Sequence, residues 1–511
     1  RDPEMSRGLG DVYKRQKYYH KLFIGDFMKY LVPDYEITRD IFKDDFSNCS
    51  DFLLREAVIQ DKRCFFAAMD GLIDSLQLAQ MVTDPILSAK LDFTDPSEHF
   101  EQIKKSVVGS VEMNVAETFD DCYYYLMSGF ALFFLDGNSR ALALGIQGWS
   151  KRSTDEPSNE STVMGAKECF IEALNDNKAL LRKRLKTYHL KLKQIKLGNA
   201  ASTPVVIAYI DNRADESLVF DVEQRLKKAN LNTVLDFGSL ADFLDTDIKT
   251  FFTAVGHTER PDTFASKLLE GRVGVMVEGT PFALYTPFLF SDNFSAADDY
   301  DNKPFYSSFV RILRYLSFVL SLFLPGLYVA VGTYHQEVIP ATLLYIVATS
   351  EATTPLPLML EAIVIHLMYE IMREAGLRLP KAIGHAVSII GAIVIGEATV
   401  SAGMIGAPML VIVALTAISS YTIYQLYESV AVLRIMFILI GGLTGVYGLT
   451  LASGVLFVNI CSVNPYGVPY SAPLSPLTQK SFFDTVLCQG WKKLARRRVR
   501  VGDLKGASDN E

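Results

Sequence analysis

The sequence predicts a soluble α+β or α/β domain, built as two subdomains, followed by an all-α polytopic membrane domain of about four to five spans, some of them broken. Three observations predict it. Charged residues occur in nearly every helical turn's length up to about residue 310, then almost vanish between 315 and 463. Within that second half, residues 315–334, 398–427 and 435–463 carry no charge at all, each long enough for a helix to cross hydrocarbon. In the first half, short apolar β-prone runs alternate with amphipathic stretches. The bulk figures of 49% hydrophobic residues and a net charge of −8 average these two unlike halves.

Residues 1–16 (RDPEMSRGLGDVYKRQ) resemble a translated cloning adaptor and are set aside. The soluble domain is expected over 17–310, with subdomains at about 17–200 and 201–300. The membrane domain follows over 311–463, and 464–511 form a proline-rich segment and basic tail. Residues 51–80 mix helical periodicity with a strand at RCFFAAMDG. Two apolar runs flank Asp136, Gly137 and Asn138, a β-hairpin signature. Residues 150–162 are polar, and 166–196 read as one or two basic amphipathic helices. Those helices present either a solvated face packed on the domain or a surface for a partner or lipid headgroups. Buried strands are expected at 204–210, 231–235 and 272–278, with a helix at 217–229. Strands alternating with helices suggest a partly parallel sheet.

Several function classes are excluded. Acidic net charge argues against nucleic-acid binding, which needs clustered Lys and Arg. No GxGxxG or GxxxxGK[ST] joins a strand to a helix, and there is no HExxH pattern or GxSxG elbow. The six cysteines lack metal-ligand spacing and fit a reducing compartment. No catalytic, cofactor-binding or metal-binding residues are therefore expected.

Basic residues orient the membrane half. Arg311 and Arg314 precede the first span, Arg373, Arg378 and Lys381 lie in a loop, and WKKLARRRVR occupies 491–500. Under the positive-inside rule all three sites are cytoplasmic, so the number of crossings is even. Four satisfies it: 315–334, a broken 339–372, a broken 382–420, and 430–460. Ionisable groups inside spans are costly and face protein or water. Glu361, Glu397 and His366 are the candidates here. They are either hydrogen-bonded between packed helices or line an ion pathway whose carboxylates replace part of a cation's hydration shell. Glycines and Pro408 around Glu397 mark an interrupted helix. Glu370 is expected near the cytoplasmic interface beside a basic partner. Outside the spans, Glu259, Arg260 and Asp262 in TERPD can form a charge-assisted turn or a subunit or gating contact. Arg311 and Arg314 serve as headgroup anchors or couple the soluble domain to the first span. The proline-rich segment after the last span either lies extended at the membrane surface or packs back on the soluble domain.

These motifs occur in a family order. TERPD at 258–262, LLEGRVGVMVEGTPFAL at 268–284, and DDY at 298–300 ahead of Arg311 and Arg314 are followed by IGEATVSAGMIGAPM at 395–409 and NPYGVPYSAPLSP at 464–476. Over about residues 105–500 the chain resembles the A subunit of GerA-family spore germinant receptors. One segment departs from the family pattern: Met164, Ala166 and Cys169 stand where arginine, proline and glycine are usual. The resemblance implies a multi-pass protein of the inner spore membrane, with soluble domain and carboxyl tail cytoplasmic. It implies a transporter-like B subunit and a lipoprotein C subunit as partners. It further implies a homo-oligomer that forms or gates a channel for monovalent cations, the alternative being a non-conducting scaffold subunit.

Overall fold

The computed structural model describes residues 30–60, 62–88, 102–103, 112–148, 157, 160, 162, 165–245, 249–380, 394–476, 484–494 and 500–504. They fall into two compact units. One lies within Arg1–Ser161, Ala166–Leu244 and His257–Thr286, the other within Thr162–Gly165, Asp245–Gly256 and Pro287–Glu511.

The first unit holds two five-stranded sheets. In the first, β1 (Phe52–Ile59), β2 (Lys62–Met69), β3 (Glu112–Ala116), β4 (Phe130–Leu135) and β5 (Ala141–Gly145) run in the order β1-β2-β4-β5-β3. Period-two alternation sends Phe65, Ala67 and Met69 to one face and Cys64, Phe66 and Ala68 to the other. Helices α1 (Tyr35–Asp45) and α2 (Phe119–Met127) cover the first face with Phe42, Phe46, Cys122 and Leu126. Val82, Ile86 and Ile103 cover the second. Because both faces are buried, the central strands read as unbroken apolar runs. The predicted strand and hairpin are found, with Gly137 at φ +86° in the turn between β4 and β5. The helical periodicity read into 51–80 is overturned at β1, whose partner β2 imposes an extended ladder.

The second sheet orders β6 (Leu190–Leu197), β7 (Thr203–Ile210), β8 (Gly256–Thr258), β9 (Val273–Val277) and β10 (Ala283–Thr286) as β6-β7-β9-β10-β8. Helices α3 (Leu174–Arg184), α4 (Glu216–Lys228), α5 (Gly238–Leu244) and α6 (Pro261–Leu269) accompany it. Gly274 admits α6: a Cβ there would stand 2.1 Å from Phe264 Cζ.

Two expectations fail here. The basic helix stops at Arg184, and 190–197 is a strand, because its lysines and leucines alternate with period two. Lys191 is bonded to the Asp45 carbonyl, and Lys193 pairs with Glu223 at 2.7 Å. Residues 231–235 form no strand; their carbonyls instead close the turn at Asn199 and Ala200. The β6–β7, β7–β9 and β9–β10 pairs are antiparallel, and the chain between β7 and β9 also supplies the edge strand β8. The expected division near residue 200 passes between β6 and β7, which pair with each other.

One buried ion pair joins the two sheets of this unit. Arg182 of α3 forks Asp51, just before β1, at 2.7 and 3.1 Å, with both side chains inaccessible to solvent. Beside it, Ser50 donates its backbone N–H to the Leu192 carbonyl of β6.

The second unit is helical: α7 (Pro304–Tyr334), α8 (Ala341–Glu351), α9 (Leu358–Arg378), α10 (Ala407–Thr422) and α11 (Tyr427–Ser462). Two helical runs among the described residues, Pro304–Tyr334 and Tyr424–Ser462, are long and apolar enough to cross a membrane. Helix α11 is in fact a hairpin that reverses at Gly445, where φ is +70° and ψ −157°. Ser429 and Asn459, 30 positions apart, would stand about 45 Å apart in a straight helix. Yet the Ser429 hydroxyl donates to the Phe251 carbonyl, while Asn459 bonds Thr250 Oγ1 at 2.9 Å and the Lys249 carbonyl at 3.1 Å. Both ends of the hairpin are thus fastened to one strap, residues 249–251. The proline-rich segment packs back within this same unit: Tyr470 is buried and its carbonyl accepts from Phe290 N–H at 2.9 Å.

Asp51→Ala strands the Arg182 charge and is expected to destabilise the first unit by about 3–5 kcal/mol. Asp51→Leu with Arg182→Met together should recover most of that loss. Urea titration of the detergent-solubilised full chain, read by proteolysis of the first unit, checks both, and unchanged midpoints would refute the assignment.

Candidate functional site: buried polar joints of the helical unit

Glu361 lies in the first turn of α9 with no solvent exposure. Its Oε1 accepts the Gly406 N–H at 2.5 Å, and Gly406 is the N-cap of α10. The carboxyl therefore sits on the positive end of a sixteen-residue helix, where unpaired N–H groups favour an anion. Ser350, one residue before the end of α8, completes the joint: a Cβ on Gly406 would stand 2.7 Å from Ser350 Oγ and 3.4 Å from Glu361 Oε1. Among the described residues, the second oxygen, Oε2, has no hydrogen-bond partner. Three helix ends thus converge on a buried acid with one oxygen unused.

His366 is also buried, but it does not join Glu361. Its Nδ1 meets the Ala362 carbonyl one turn back at 2.8 Å, and its Nε2 has no partner among the described residues. Glu397 lies in the π-helical turn Val394–Ala398 and is exposed in the single chain, so the structure does not bring it to Glu361.

A second joint was not anticipated. Pro325 has no N–H, so the Ser321 carbonyl of α7, four residues back, lacks its helical donor. Arg434, almost fully buried in α11, supplies one from Nε at 3.0 Å. Its Nη2 also donates to Ser420 Oγ of α10 at 2.6 Å, and its Nη1 stands 3.9 Å from Glu370 of α9. Glu370 further accepts from Tyr427 at 2.8 Å and pairs with Arg373 at 3.2 Å, matching the expected basic partner. The only forewarning in the sequence is a proline inside one charge-free run and a lone arginine at the edge of another.

At the start of α7, Arg311 and Arg314 converge on Asp299. Arg311 donates through Nε and Nη2 at 3.2 and 3.1 Å, and Arg314 Nη1 reaches the two carboxyl oxygens at 2.9 and 2.7 Å. Arg311 Nη1 also bonds the Asp484 carbonyl, while Tyr300 donates its hydroxyl to Asp484 at 3.0 Å. Trp491 Nε1 donates to the Tyr300 carbonyl at 3.0 Å. Burial pushes the Asp484 carboxyl up, and the Arg311 guanidinium opposes that shift. Arg311 is thereby neutralised inside the protein rather than offered to headgroups. The segment 484–491 is held at the same end of the helices as residue 304, so the chain enters and leaves the bundle on one side.

TERPD is a self-satisfied helix start. Arg260 is the N-cap residue of α6 and Pro261 is N1. Arg260 forks Asp262 at 3.0 and 2.6 Å, and Thr258 Oγ1 accepts the Arg260 N–H at 3.1 Å. Glu259 and Arg260 are buried, with Glu259 accepting the Glu160 N–H at 2.8 Å. The Glu160 carboxyl accepts from Thr258 at 2.5 Å. Burial pushes its pKa up to about 7; the Thr258 bond opposes this, Glu259 and Asp262 reinforce it, and Arg260 counters. Among the described residues no group of three or more His, Cys, Asp or Glu side chains could hold a metal ion.

A family model described as the Bacillus/Clostridium GerA spore germination protein matches residues 40–499. The chain belongs to this family. Curated relatives of the GerA chain include an uncharacterised membrane protein, YfkQ, of Bacillus subtilis strain 168, 36% identical over 88% of each chain. Spore germination protein KA of the same strain is 35% identical over 88% of this chain and 83% of its own. Spore germination protein GerLA of Bacillus cereus is 28% identical over 88% of this chain and 91% of its own. A crystal structure of the N-terminal domain of the A subunit of the Bacillus megaterium germinant receptor GerK3 is 26% identical. It covers 52% of this chain and 98% of its own, with a TM-score of 0.40.

Two outcomes follow from these joints. A carboxyl whose folded pKa is raised contributes stability that is fully present below its unfolded value of 4.5 and lost as pH rises through about 7. Glu160→Gln keeps an acceptor for Thr258 without the charge, so its thermal stability should exceed that of wild type above pH 7 and match it near pH 4.5. Parallel pH profiles would contradict the assignment. Arg434→Met should sharply lower the monodisperse fraction on size exclusion in detergent. Arg434→Lys should rescue only part of it, because an ammonium lacks the planar fork.

Proposed function

We propose that this GerA-family chain is the A subunit of a nutrient-responsive spore germinant receptor, and that copies of it form or gate a cation-conducting channel in the inner spore membrane. Its partners in this reading are a transporter-like B subunit and a lipoprotein C subunit. The reading assigns the chain no catalytic role. The observation that carries it is Glu361: a buried carboxyl at a three-helix break, with one oxygen capping α10 and the other unused. Carboxylates at interrupted helices are where membrane proteins replace an ion's hydration shell.

In the same reading five described helical segments traverse the bundle. Helix α7 runs from the Asp299 end to Tyr334, which bonds Gly442 and Leu443 beside the hairpin tip. Helix α9 starts at that far end, since a Cβ on Gly332 would strike Leu358, and it returns to Tyr427. Helix α10 also returns, from Gly406 at Glu361 to Ser420 at Arg434. The two arms of α11 complete the described set. Helix α8, ending beside Gly406, is a re-entrant element.

The strap at 249–251 favours a second reading, a non-conducting scaffold subunit in which both ends of the hairpin are fixed. Glu361→Gln and Glu397→Gln distinguish the two in spores with receptor abundance verified by immunoblot. Gln keeps the acceptor for Gly406 and removes the charge. Nutrient-triggered release of monovalent cations should fall severalfold for Glu361→Gln under the channel reading. Release indistinguishable from wild type in both variants, at normal abundance, would leave the scaffold.

A further inference from the structure

The uncharged part of α7 begins at residue 315, but the helix does not change character there. Phe305, Phe309, Ile312, Leu316 and Val319 are all exposed. At 100° per residue they fall within about 80° of one another, on one face. Arg311 and Arg314 occupy the opposite face, where Asp299 and Asp484 neutralise them. The apolar stripe of the first span therefore runs about three turns before the start of the charge-free run without presenting a charge outward. Helix α7 has 31 residues, about 46 Å of rise, against about 40–45 Å for a bilayer with its headgroup layers.

At the low end of this stripe the exposed groups change to those of a membrane interface. Tyr306 is exposed, and so is Trp491, which is bonded to Tyr300. Lys303, Lys492 and Lys493 are exposed around them, with Asp301 the opposing charge. Amphipathic aromatic rings settle at headgroup depth, and lysines beside them attract anionic lipid.

We propose that the face formed by Phe305, Phe309, Ile312 and Trp491 is seated in the anionic headgroup layer, with Lys303, Lys492 and Lys493 binding lipid phosphates. The inner boundary of the membrane then lies at about residues 305–312 rather than at 315. The Asp299–Arg311–Asp484 cluster is what allows this, since it keeps two arginines off the lipid-facing side. The inference rests on the membrane reading above, so its test carries a separate control.

The full chain, with Cys461→Ser and a single added cysteine, is reconstituted in vesicles of phosphatidylcholine with one-third phosphatidylglycerol and treated with a membrane-impermeant maleimide. Phe309→Cys and Ile312→Cys should resist labelling until detergent is added, as should Leu327→Cys within the charge-free run. Labelling of all three overturns the membrane reading itself. Labelling of 309 and 312 with protection of 327 overturns this proposal alone. Oxidative cross-linking of Phe309→Cys between copies would assign the face to a second chain and also overturn it. Independently, Trp149→Phe leaves Trp491 as the sole tryptophan. Its emission should be quenched by lipid brominated near the headgroup and hardly by aqueous iodide. Lys492→Glu with Lys493→Glu should abolish any gain in that quenching from phosphatidylglycerol. Strong iodide quenching without bromolipid quenching would refute the seating of Trp491.

Discussion

Pro325 removes a hydrogen-bond donor from the middle of α7, and the guanidinium that replaces it holds the helical unit together. A carbonyl left unpaired in an apolar bundle costs on the order of 1–3 kcal/mol, and no water is at hand to satisfy it. Arg434 meets that need and then spends its remaining donors on Ser420 and toward Glu370. One side chain thus ties α11 to α7, α10 and α9. Its own burial is tolerable only because each of these partners is present, so the joint binds four helices cooperatively. The close approach of Gly326 to the Phe437 backbone follows, since a Cβ there would stand 2.7 Å from the Phe437 carbonyl oxygen.

The other polar joints obey the same rule with different chemistry. Glu361 is held by a helix terminus rather than by a counter-charge, which leaves one of its oxygens free. Arg311 and Arg314, by contrast, share Asp299 as a counter-charge. Among the described residues, Glu361 and His366 are the sequence candidates that keep a buried polar atom without a hydrogen-bond partner.

The strap at 249–251 extends the same rule to the hairpin, since it bonds both ends of α11 within the second unit. The named relatives of this GerA-family chain include spore germination proteins.

Much of this protein was legible in the sequence wherever the signal is local. The change from charged to charge-free composition marked the helical half, and β2, the β4–β5 hairpin, β7, α4 and β9 followed from short-range periodicity and turn residues. The ordered motifs were enough to place the family. What the sequence did not reveal depends on partners distant along the chain. Residues 190–197 have lysines compatible with a helix face until β7 offers a ladder, and residues 231–235 are apolar enough for a strand that never finds one. Asp51 and Arg182 are 131 positions apart, so nothing near either one announces the pair. Arg434 drew no expectation from the sequence, because its acceptor is created by a proline in another helix. The last charge-free run looked like one helix because hydropathy carries no direction, and only the positive φ at Gly445 and the two ends meeting one strap reveal the reversal. The sequence by itself determined which segments must leave water and which family the chain belongs to. Tertiary structure alone decided which polar groups within them are satisfied, because each donor and acceptor there is matched across elements rather than along the chain.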